Sequence, residues 1–320
     1  MLRRDFLLRS SLGLAGATLA PWDDARSAAA DAGSNEAATA AGTLLLGGDL
    51  QVNRLGFGAM RITGDGVWGE PRDENEARAV LRRAVELGVN FIDTADAYGP
   101  YISERLIREA LYPYARGLVI ATKGGYVRPR REEWLADGRP QHLRAACESS
   151  LTRLKLERID LYQLHRPDPN VPYEDSLGEL ARLQQEGKIR HVGVSNVDAQ
   201  QLAKARAIVK VVSVQNRYNV ADRSADEVLA VCQQAQIAFI SWAPLAQGAQ
   251  AGAAPDKRVA ALDAIAKERH IDKNQASLAW LLARSPVMVP IPGTSRVDHL
   301  EDNVGAAKIK LTAAEMARVG

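Results

Sequence analysis

The stretch DENEARAVLRRAVELGVNFIDTADAYG (residues 73–99) holds one helix-to-strand unit and decides the fold. Its first half places apolar residues at helical spacing, with Asp73 positioned to cap the helix and Gly88 positioned to end it. The run from Asn90 to Asp93 is typical of a short buried strand. Polar and aromatic residues that a core does not favour follow at once. This unit therefore predicts a buried strand that delivers functional side chains at its end.

The same alternation of helical pattern and apolar run continues along the chain. There are eight strand-like runs: Leu55–Met60, Asn90–Asp93, Leu118–Lys123, Asp160–Leu164, His191–Ser195, Val211–Gln215, Ala238–Trp242 and Met288–Ile291. Eight near-continuously apolar strands that alternate with helices predict an α/β protein with a closed parallel (β/α)8 TIM barrel. A six-stranded open sheet would leave two units unplaced.

Two features around the first strand refine this prediction. The segment TLLLGGDLQV (residues 43–52) has two short apolar arms around Gly47-Gly48-Asp49, which indicates an N-terminal β-hairpin that covers the N-terminal end of the barrel. The segment GFGAMRITG (residues 56–64) has no G-x-G-x-x-G spacing that opens a helix. A Rossmann-type nucleotide site is therefore disfavoured.

The N-terminus, MLRRDFLLRSSLGLAGATLA, combines the pair Arg3-Arg4 with a weakly apolar run, as in a twin-arginine export signal. A low-complexity linker rich in alanine follows. We predict a signal peptide and linker over residues 1–42 and the barrel over residues 43–320. The predicted destination is the periplasm, reached through the twin-arginine export machinery. The alternative is a cytoplasmic protein with a frayed N-terminus.

Composition excludes several classes of protein. Lys+Arg 41 against Asp+Glu 39 gives a net charge of +2, too balanced for the broad basic face that binds nucleic acid. The two cysteines, Cys147 and Cys232, lie far apart in helical patterns without metal-ligand spacing. We expect buried thiols and no metal site. The sequence predicts no particular oligomeric state.

Unusual residues follow most of the predicted strands. In a barrel of this kind the carboxyl ends of all strands open onto one face, so these residues are expected to share a site. They are Asp93, Tyr98, Lys123, His165, Ser195, Asn196, Gln215, Asn216 and Trp242. Each alone is compatible with a structural role, but four titratable side chains of complementary type on adjacent strands predict function.

This set of side chains supports proton transfer through a phenol. A tyrosine has a reference pKa near 10 and is a poor acid near neutrality unless a neighbouring cation stabilises the phenolate. Lys123 supplies that cation, and Asp93 is expected to pair with it and keep it charged. His165 is expected to donate a hydrogen bond that orients a substrate carbonyl toward Tyr98.

The motifs FIDTADAYG, IATKGG, DLYQLHRPD, VGVSN, VQNRYN and SWAPL, in this order, resemble the aldo-keto reductase superfamily from about residue 44 to the end. The resemblance implies an NAD(P)H-dependent carbonyl reductase. It also implies that Asp93, Tyr98, Lys123 and His165 form the catalytic tetrad, with Tyr98 as the acid that protonates the carbonyl oxygen. The alternative is an NADP-binding regulatory module that resembles channel β-subunits.

The resemblance implies the cofactor contacts residue by residue. Ser195, Asn196 and Gln215 match groups that bind the nicotinamide carboxamide, and Trp242 matches the aromatic residue that stacks on the ring. The segment IPGTSRVDHLEDN matches the part that grips the adenosine 2′-phosphate, through Gly293, Thr294, Ser295, Arg296, Asp302 and Asn303. Glycine stands at position 293, where many relatives have lysine, and histidine stands at position 299, where they have arginine. Arg296 is then the main cation left, so NADP(H) is predicted, with NAD(H) as the alternative.

The substrate pocket is predicted from loops. The candidates are Met60, Trp68, Tyr126 and Arg128, with Tyr101 and Tyr218 as further aromatic residues. The segments GGYVRPRREEW and HRPDPNVPYEDSL resemble a bacterial branch that includes pyridoxal reductases. The substrate is therefore expected to be a small-molecule carbonyl compound of the pyridoxal type or a general aldehyde.

Overall fold

The computed structural model describes residues 37–245 and 256–320. Strands within these ranges are β1 Thr43–Leu46, β2 Leu50–Asn53, β3 Phe57–Gly58, β4 Phe91–Asp93, β5 Val119–Gly124, β6 Tyr126–Val127, β7 Leu135–Ala136, β8 Ile159–Leu164, β9 Ile189–Ser195, β10 Val211–Arg217, β11 Ala238–Trp242 and β12 Met288–Pro290. Helices there are α1 Glu74–Glu86, α2 Ile102–Leu111, α3 Pro140–Leu154, α4 Tyr173–Gln185, α5 Ala199–Ile208, α6 Asp226–Ala235, α7 Lys257–Glu268, α8 Lys273–Arg284, α9 Val297–Gly305 and α10 Ala313–Val319.

Eight of these strands form one parallel sheet in the order β3-β4-β5-β8-β9-β10-β11-β12. Its two outer strands meet through backbone hydrogen bonds from the Gly56 amide to the Pro290 carbonyl (3.0 Å) and from the Gly58 amide to the Pro292 carbonyl (3.2 Å). The sheet therefore closes on itself. The predicted (β/α)8 TIM barrel is confirmed.

Most predicted strands lie where the apolar runs placed them, since buried parallel strands are apolar on both faces. The first strand is shorter than predicted, because β3 ends at Gly58 and the chain turns into a 3-10 helix at Ala59–Ile62. The short antiparallel ribbon of β6 and β7, which follows β5, was not predicted. This ribbon becomes part of the site wall described below.

The N-terminal hairpin of β1 and β2 closes one end of the barrel, as predicted. Leu46, Leu50 and Val52 are buried in one cluster with residues from the barrel strands, including Phe91 and Leu161. At the turn of the hairpin, Lys210 donates to the Gly47 carbonyl over 3.0 Å. Lys210 directly precedes β10, so the hairpin covers the N-terminal ends of the strands.

Local signals predicted for the helix in the helix-to-strand unit of residues 73–99 are confirmed. The Asp73 carboxylate accepts hydrogen bonds from the Asn75 and Glu76 amides, and Gly88 has a φ of +85° just past the helix end. At the start of the described chain, Ala37–Ala41 forms a 3-10 helix, and the Ala38 amide donates to the Leu87 carbonyl over 3.0 Å. Packing against the barrel thus begins ahead of the predicted boundary at residue 43.

Cys147 and Cys232 are buried and unpaired, as expected. None of the helices in residues 37–245 and 256–320 has the length and apolarity needed to cross a bilayer. The predicted signal peptide lies in residues 1–36 for almost all of its length, outside the described residues.

Candidate active site

Strand ends and one loop bring four of the predicted side chains to the same mouth of the barrel. Asp93 is the last residue of β4, Lys123 lies near the end of β5, and His165 directly follows β8. Tyr98 lies in the loop between β4 and α2 and is only 6% exposed. The four residues share one site although 72 positions separate the first from the last in the sequence (165 − 93).

The loop that carries Tyr98 depends on a glycine. Gly99 has a φ of +95°, and a Cβ added there would lie 2.5 Å from the Cβ of Ile102. Both observations exclude an ordinary side chain at this position. The loop is also fastened to α2, because the Thr94 hydroxyl lies 2.8 Å from the Ser103 hydroxyl. These contacts fix where the Tyr98 phenol points.

Lys123 is the buried cation of the site. Its Nζ donates to Asp93 Oδ1 over 2.5 Å, to the Thr94 carbonyl over 2.8 Å and to the Tyr98 phenol oxygen over 3.3 Å. Burial is the largest single influence and disfavours the charged ammonium, but the charges of Asp93 and Tyr98 and their hydrogen bonds together raise the pKa of Lys123. Burial raises the pKa of Tyr98, while the charge of Lys123 acts in the opposite direction. The ammonium is therefore available to stabilise a phenolate.

The second oxygen of Asp93 is held by two amides. Gln163 Nε2 donates to Asp93 Oδ2 over 3.0 Å, and Gln215 Nε2 donates to the same oxygen over 2.7 Å. A buried carboxylate with partners on both oxygens is well satisfied. Sequence reasoning missed Gln163, although the two-residue period of a strand places it on the same side of β8 as His165.

His165 lines the site as a neutral imidazole. Burial, with the charges of Lys123 and Arg166 adding to it, holds the pKa of His165 well below its ordinary value of 6.5. Its ring lies 5.8 Å from the Tyr98 ring and 4.6 Å from the Tyr126 ring, edge to face in both cases. A neutral imidazole has one N–H donor, which suits it to bind a carbonyl oxygen.

These groups line a central cavity of about 570 Å³. Its lining includes the side chains of Asp93, Tyr98 and His165 and, from the predicted cofactor and substrate contacts, Met60, Tyr126, Ser195, Asn196, Gln215, Trp242 and Gly293. Among the lining residues that sequence reasoning missed are three large polar or aromatic ones, Arg61, Trp134 and Arg166. Trp68 and Arg128, two of the predicted pocket residues, do not line this cavity.

The sequence was compared with protein families and with known proteins. The sequence model described as the aldo/keto reductase family matches residues 54–320. The chain belongs to the aldo/keto reductase family. It is 52% identical over 282 residues to an uncharacterized oxidoreductase of Schizosaccharomyces pombe. This alignment covers 88% of this chain and 90% of the relative. It is 42% identical over 271 residues to pyridoxine 4-dehydrogenase of Escherichia coli, with 83% of this chain and 93% of the relative covered.

Solved structures of aldo-keto reductases are similar as well. One is the aldo-keto reductase of Klebsiella pneumoniae in complex with NADP and acetate, with 27% identity and a TM-score of 0.72. The comparison covers 87% of this chain and 93% of that one. This chain is therefore an oxidoreductase of the aldo/keto reductase family.

In this aldo/keto reductase, Trp242 and two neighbours form a linked polar wall of the cavity. Trp242 Nε1 donates to Asn196 Oδ1 over 3.2 Å, and Asn196 Nδ2 lies 3.0 Å from Ser195 Oγ. Asn196 also donates to the His165 carbonyl over 3.0 Å and has a φ of +57°. The wall therefore ties β8, β9 and β11 together beside the proposed nicotinamide position.

The remaining predicted cofactor residues divide between two neighbouring cavities. Gly293, Thr294, Asp302 and Asn303 line a cavity of about 370 Å³ that shares Gly293 and Leu245 with the central one. Ser295 and Arg296 instead line a cavity of about 430 Å³ that shares Met60 and Arg61 with the central one. The Arg296 guanidinium forms an ion pair with Asp298.

Gly293 stands where a lysine is common, and the structure gives a local reason. A Cβ added at Gly293 would lie 2.4 Å from the Gly58 carbonyl oxygen, because the two backbones meet where the barrel closes. A side chain at this position would therefore push the backbones apart.

Arg128 of this aldo/keto reductase lies behind the wall of the central cavity. Its two terminal nitrogens donate to four backbone carbonyls, those of Gly66, Val67, Ala97 and Arg131, at 2.5 to 3.4 Å. Its guanidinium carbon lies 3.6 Å from the ring centroid of Trp134. Arg128 thus connects three loops through hydrogen bonds and stacks on the Trp134 ring. Trp134 in turn packs edge to face against the rings of Tyr98, Tyr126 and His165.

Across the part of the chain that the structure describes, no three His, Cys, Asp or Glu side chains come together as a metal site.

Proposed function

We propose that this chain is a carbonyl reductase that uses NADP(H) and employs Tyr98 as the general acid. The observation that carries the proposal is the 3.3 Å contact between Lys123 Nζ and the Tyr98 phenol at the wall of the central cavity. Only a neighbouring cation makes a phenol a useful acid at neutral pH. No described side chain at this site is a strong nucleophile, so covalent catalysis is not favoured.

The cavities fit a dinucleotide. The central cavity, with Trp242 as a flat aromatic wall, adjoins the cavity lined by Thr294, Asp302 and Asn303. Ser195, Asn196 and Gln215 would bind the carboxamide end, and residues 293–303 would bind the adenosine end. When bound, the cofactor supplies the hydride that a carbonyl carbon receives. The Klebsiella pneumoniae relative was crystallised with NADP, which supports NADP(H) for this chain.

The side chains of the protein supply the proton that the carbonyl oxygen receives. His165, neutral near pH 7, donates a hydrogen bond to the substrate oxygen and orients the carbonyl. Tyr98 gives its phenolic proton to that oxygen as negative charge develops there, and the phenolate left behind is stabilised by Lys123. Asp93 keeps the ammonium charged, and Gln163 and Gln215 hold Asp93 in place. Hydride and proton together convert the carbonyl to an alcohol.

The substrate pocket favours a flat aldehyde. Tyr126 and Trp134 form an aromatic wall with ring centroids 5.4 Å apart, and Met60 lines the same cavity. The likeness to the Escherichia coli pyridoxine 4-dehydrogenase, at 42% identity, supports a pyridoxal-type aldehyde as the first compound to test.

Stopped-flow measurements of NADPH oxidation with pyridoxal and a panel of aldehydes test this function. We expect Tyr98→Phe to lower the single-turnover rate by about 10²- to 10⁴-fold and to leave the Kd for NADPH within about twofold. Tyr101→Phe is the matched control, since Tyr101 lies in the same loop, is 54% exposed and does not line the central cavity. Undiminished turnover in Tyr98→Phe would reject Tyr98 as the acid. NADPH binding without oxidation by any aldehyde would instead favour the regulatory module.

A further inference from the structure

A second polar cavity lies next to the loop that carries Tyr98. It has a volume of about 440 Å³ and lies between this loop and α3. The loop contributes Asp96, Arg128 comes from the segment after β5, and α3 contributes His142, Ser149 and Arg153. The reaction proposed above uses none of these polar groups directly.

Buried polar atoms in this cavity lack partners within the protein. Asp96 is 4% exposed and Arg128 is 7% exposed, yet Asp96 Oδ1 and Arg128 Nε have no hydrogen-bond partner among the described residues. His142 Nε2 is in the same condition. Buried polar atoms are nearly always paired, because an unpaired one loses its hydration without compensation. Three such atoms belong to residues around one cavity, so each needs a partner from outside the chain, either water or a ligand.

The lining of the cavity is rich in hydrogen-bond donors. Arg128 offers its Nε–H, Ser149 offers a hydroxyl, and Arg153 brings a guanidinium whose Nε donates to Glu104 over 2.6 Å. No cation within 4.0 Å pairs with Asp96 in residues 37–245 and 256–320, although Arg153 lines the same cavity. Burial, with the charge of Glu104 adding to it, raises the pKa of Asp96 to about 8. Asp96 is therefore itself a donor near neutral pH.

We propose that this cavity binds a small oxyanion, a carboxylate or phosphate group, between Arg128 Nε, the Arg153 guanidinium and the Asp96 carboxyl. One proton lies between the Asp96 oxygen and an oxygen of the ligand. Below pH 8 the Asp96 carboxyl already carries this proton, and above pH 8 the binding of a fully ionised oxyanion takes up one proton as Asp96 becomes protonated. Asp96 Oδ1 and Arg128 Nε then gain the partners that the protein does not supply, and Arg153, already paired with Glu104, adds its positive charge. The site is distinct from the central cavity, with which it shares Tyr126.

Acetate is the first probe, titrated calorimetrically into the full chain saturated with NADP⁺ at pH 7. Ser149→Phe places a ring at the exposed opening of the cavity, and we expect it to weaken acetate binding by at least about tenfold. Gln141→Phe is the matched control on α3, because Gln141 is exposed and does not line the cavity. We expect this variant to bind acetate within about twofold of the wild type. Thermal melting and NADP⁺ binding must be unchanged in both variants.

A pH series tests the proton that accompanies binding. The charged and titratable groups that face Asp96 or line its cavity are Tyr101, Glu104, Lys123, Tyr126, Arg128, His142, Arg153 and Tyr162. Acetate stays ionised above pH 6.5, so in the wild type its affinity should fall about tenfold per pH unit above pH 8, where Asp96 ionises. Asp96→Asn imitates the protonated carboxyl, and its acetate affinity should stay constant between pH 8 and pH 9.5.

Several results would overturn the proposal. Equal acetate affinity in Ser149→Phe and the wild type would place the anion in the central cavity, and an absence of binding to the wild type would remove the site altogether. The same pH slope in Asp96→Asn and the wild type would reject the role of Asp96. Titration with inorganic phosphate separates the two ligand classes, and phosphate binding must also weaken in Ser149→Phe.

Discussion

The Lys123 ammonium lies 3.3 Å from the phenol oxygen of Tyr98 and is held there by two further hydrogen bonds. An ammonium has three N–H donors, and the other two are taken by Asp93 Oδ1 and the Thr94 carbonyl. Lys123 is also fully buried, so water does not compete for these donors. The charge that lowers the cost of deprotonating Tyr98 is therefore fixed in place before any substrate binds.

Lys123→Met should slow carbonyl reduction and shift its pH dependence. Reduction needs the protonated phenol, so activity is present at low pH and is lost as pH rises through the Tyr98 pKa. Burial raises that pKa and Lys123 opposes the rise, so removing Lys123 raises the pKa further. We expect the single-turnover rate at pH 7 to fall by about 10²-fold or more and the alkaline limb to move to higher pH. Rates measured from pH 6 to pH 11 check both effects, and a fall in the wild-type rate above pH 10 should be absent from Lys123→Met.

The control for this variant is Lys204→Met, because the Lys204 side chain is 63% exposed and has only a long contact of 3.9 Å with Glu174. This control should keep the wild-type pH profile. Removing one partner of a buried ion pair also costs about 3–5 kcal/mol, so the folded fraction of Lys123→Met must be measured by circular dichroism. A folded Lys123→Met with the rate and the alkaline limb of the wild type would contradict the assigned role of Lys123.

Arg128→Met should loosen the substrate wall and destabilise the protein. The variant keeps the alkyl stem but leaves the carbonyls of Gly66, Val67, Ala97 and Arg131 without the guanidinium donors. We expect a loss of about 1–3 kcal/mol in the free energy of unfolding. Because Trp134 loses its stacking partner, kcat/KM should fall by about tenfold. Urea denaturation and steady-state kinetics measure the two effects.

Arg130→Met is the matched control for this variant. Arg130 lies two positions from Arg128, its side chain is 78% exposed, and its pairing with Glu133 spans 3.5 Å. An exposed pair of this kind contributes little, so both measurements should stay near the wild-type values. Similar losses of stability and of kcat/KM in the two variants would contradict this role of Arg128. They would mean that the positive charge of the loop, and not the contacts of Arg128 with the carbonyls, supports the wall.

The barrel and the position of the tetrad were predictable because they depend on local and periodic signals. Buried parallel strands are apolar on both faces, so each leaves an uninterrupted run in the sequence. The residue that ends such a run is then assigned to one face of the barrel by topology alone. This is why the sequence alone assigns Asp93 and His165 to one site, and both line the central cavity.

The loops were less predictable, because their conformation depends on contacts between segments far apart in the sequence. Arg128 was predicted to line the pocket, but four backbone carbonyls from three loops draw its guanidinium behind the wall. Trp134 takes the place beside Tyr98 and His165 through the ribbon of β6 and β7. No periodic pattern marks either position, since each is set by packing.

Residues 1–42 are predicted to direct export of a folded protein. The pair Arg3-Arg4 is the recognition element of the predicted signal. Its position before an apolar run is what predicts export through the twin-arginine machinery. A fusion of residues 1–42 to a reporter that is active in the periplasm only when exported folded should give periplasmic activity. The same fusion with Arg3→Lys and Arg4→Lys should give at least about tenfold less periplasmic reporter activity. Cytoplasmic retention of the unchanged fusion would reject the signal.

Arg296 is expected to set the preference for NADPH over NADH. Arg296 is the only arginine or lysine in residues 291–303, and it is paired with Asp298 in an exposed setting. An exposed pair of this kind contributes little to stability, so a 2′-phosphate can compete for the guanidinium. We expect Arg296→Gln to lower the ratio of kcat/KM for NADPH to that for NADH by about tenfold. Asp298→Asn should raise this ratio, because it frees the guanidinium and removes a nearby negative charge. Opposite shifts in the two variants would identify Arg296 as the phosphate ligand, whereas an unchanged ratio in Arg296→Gln would rule it out.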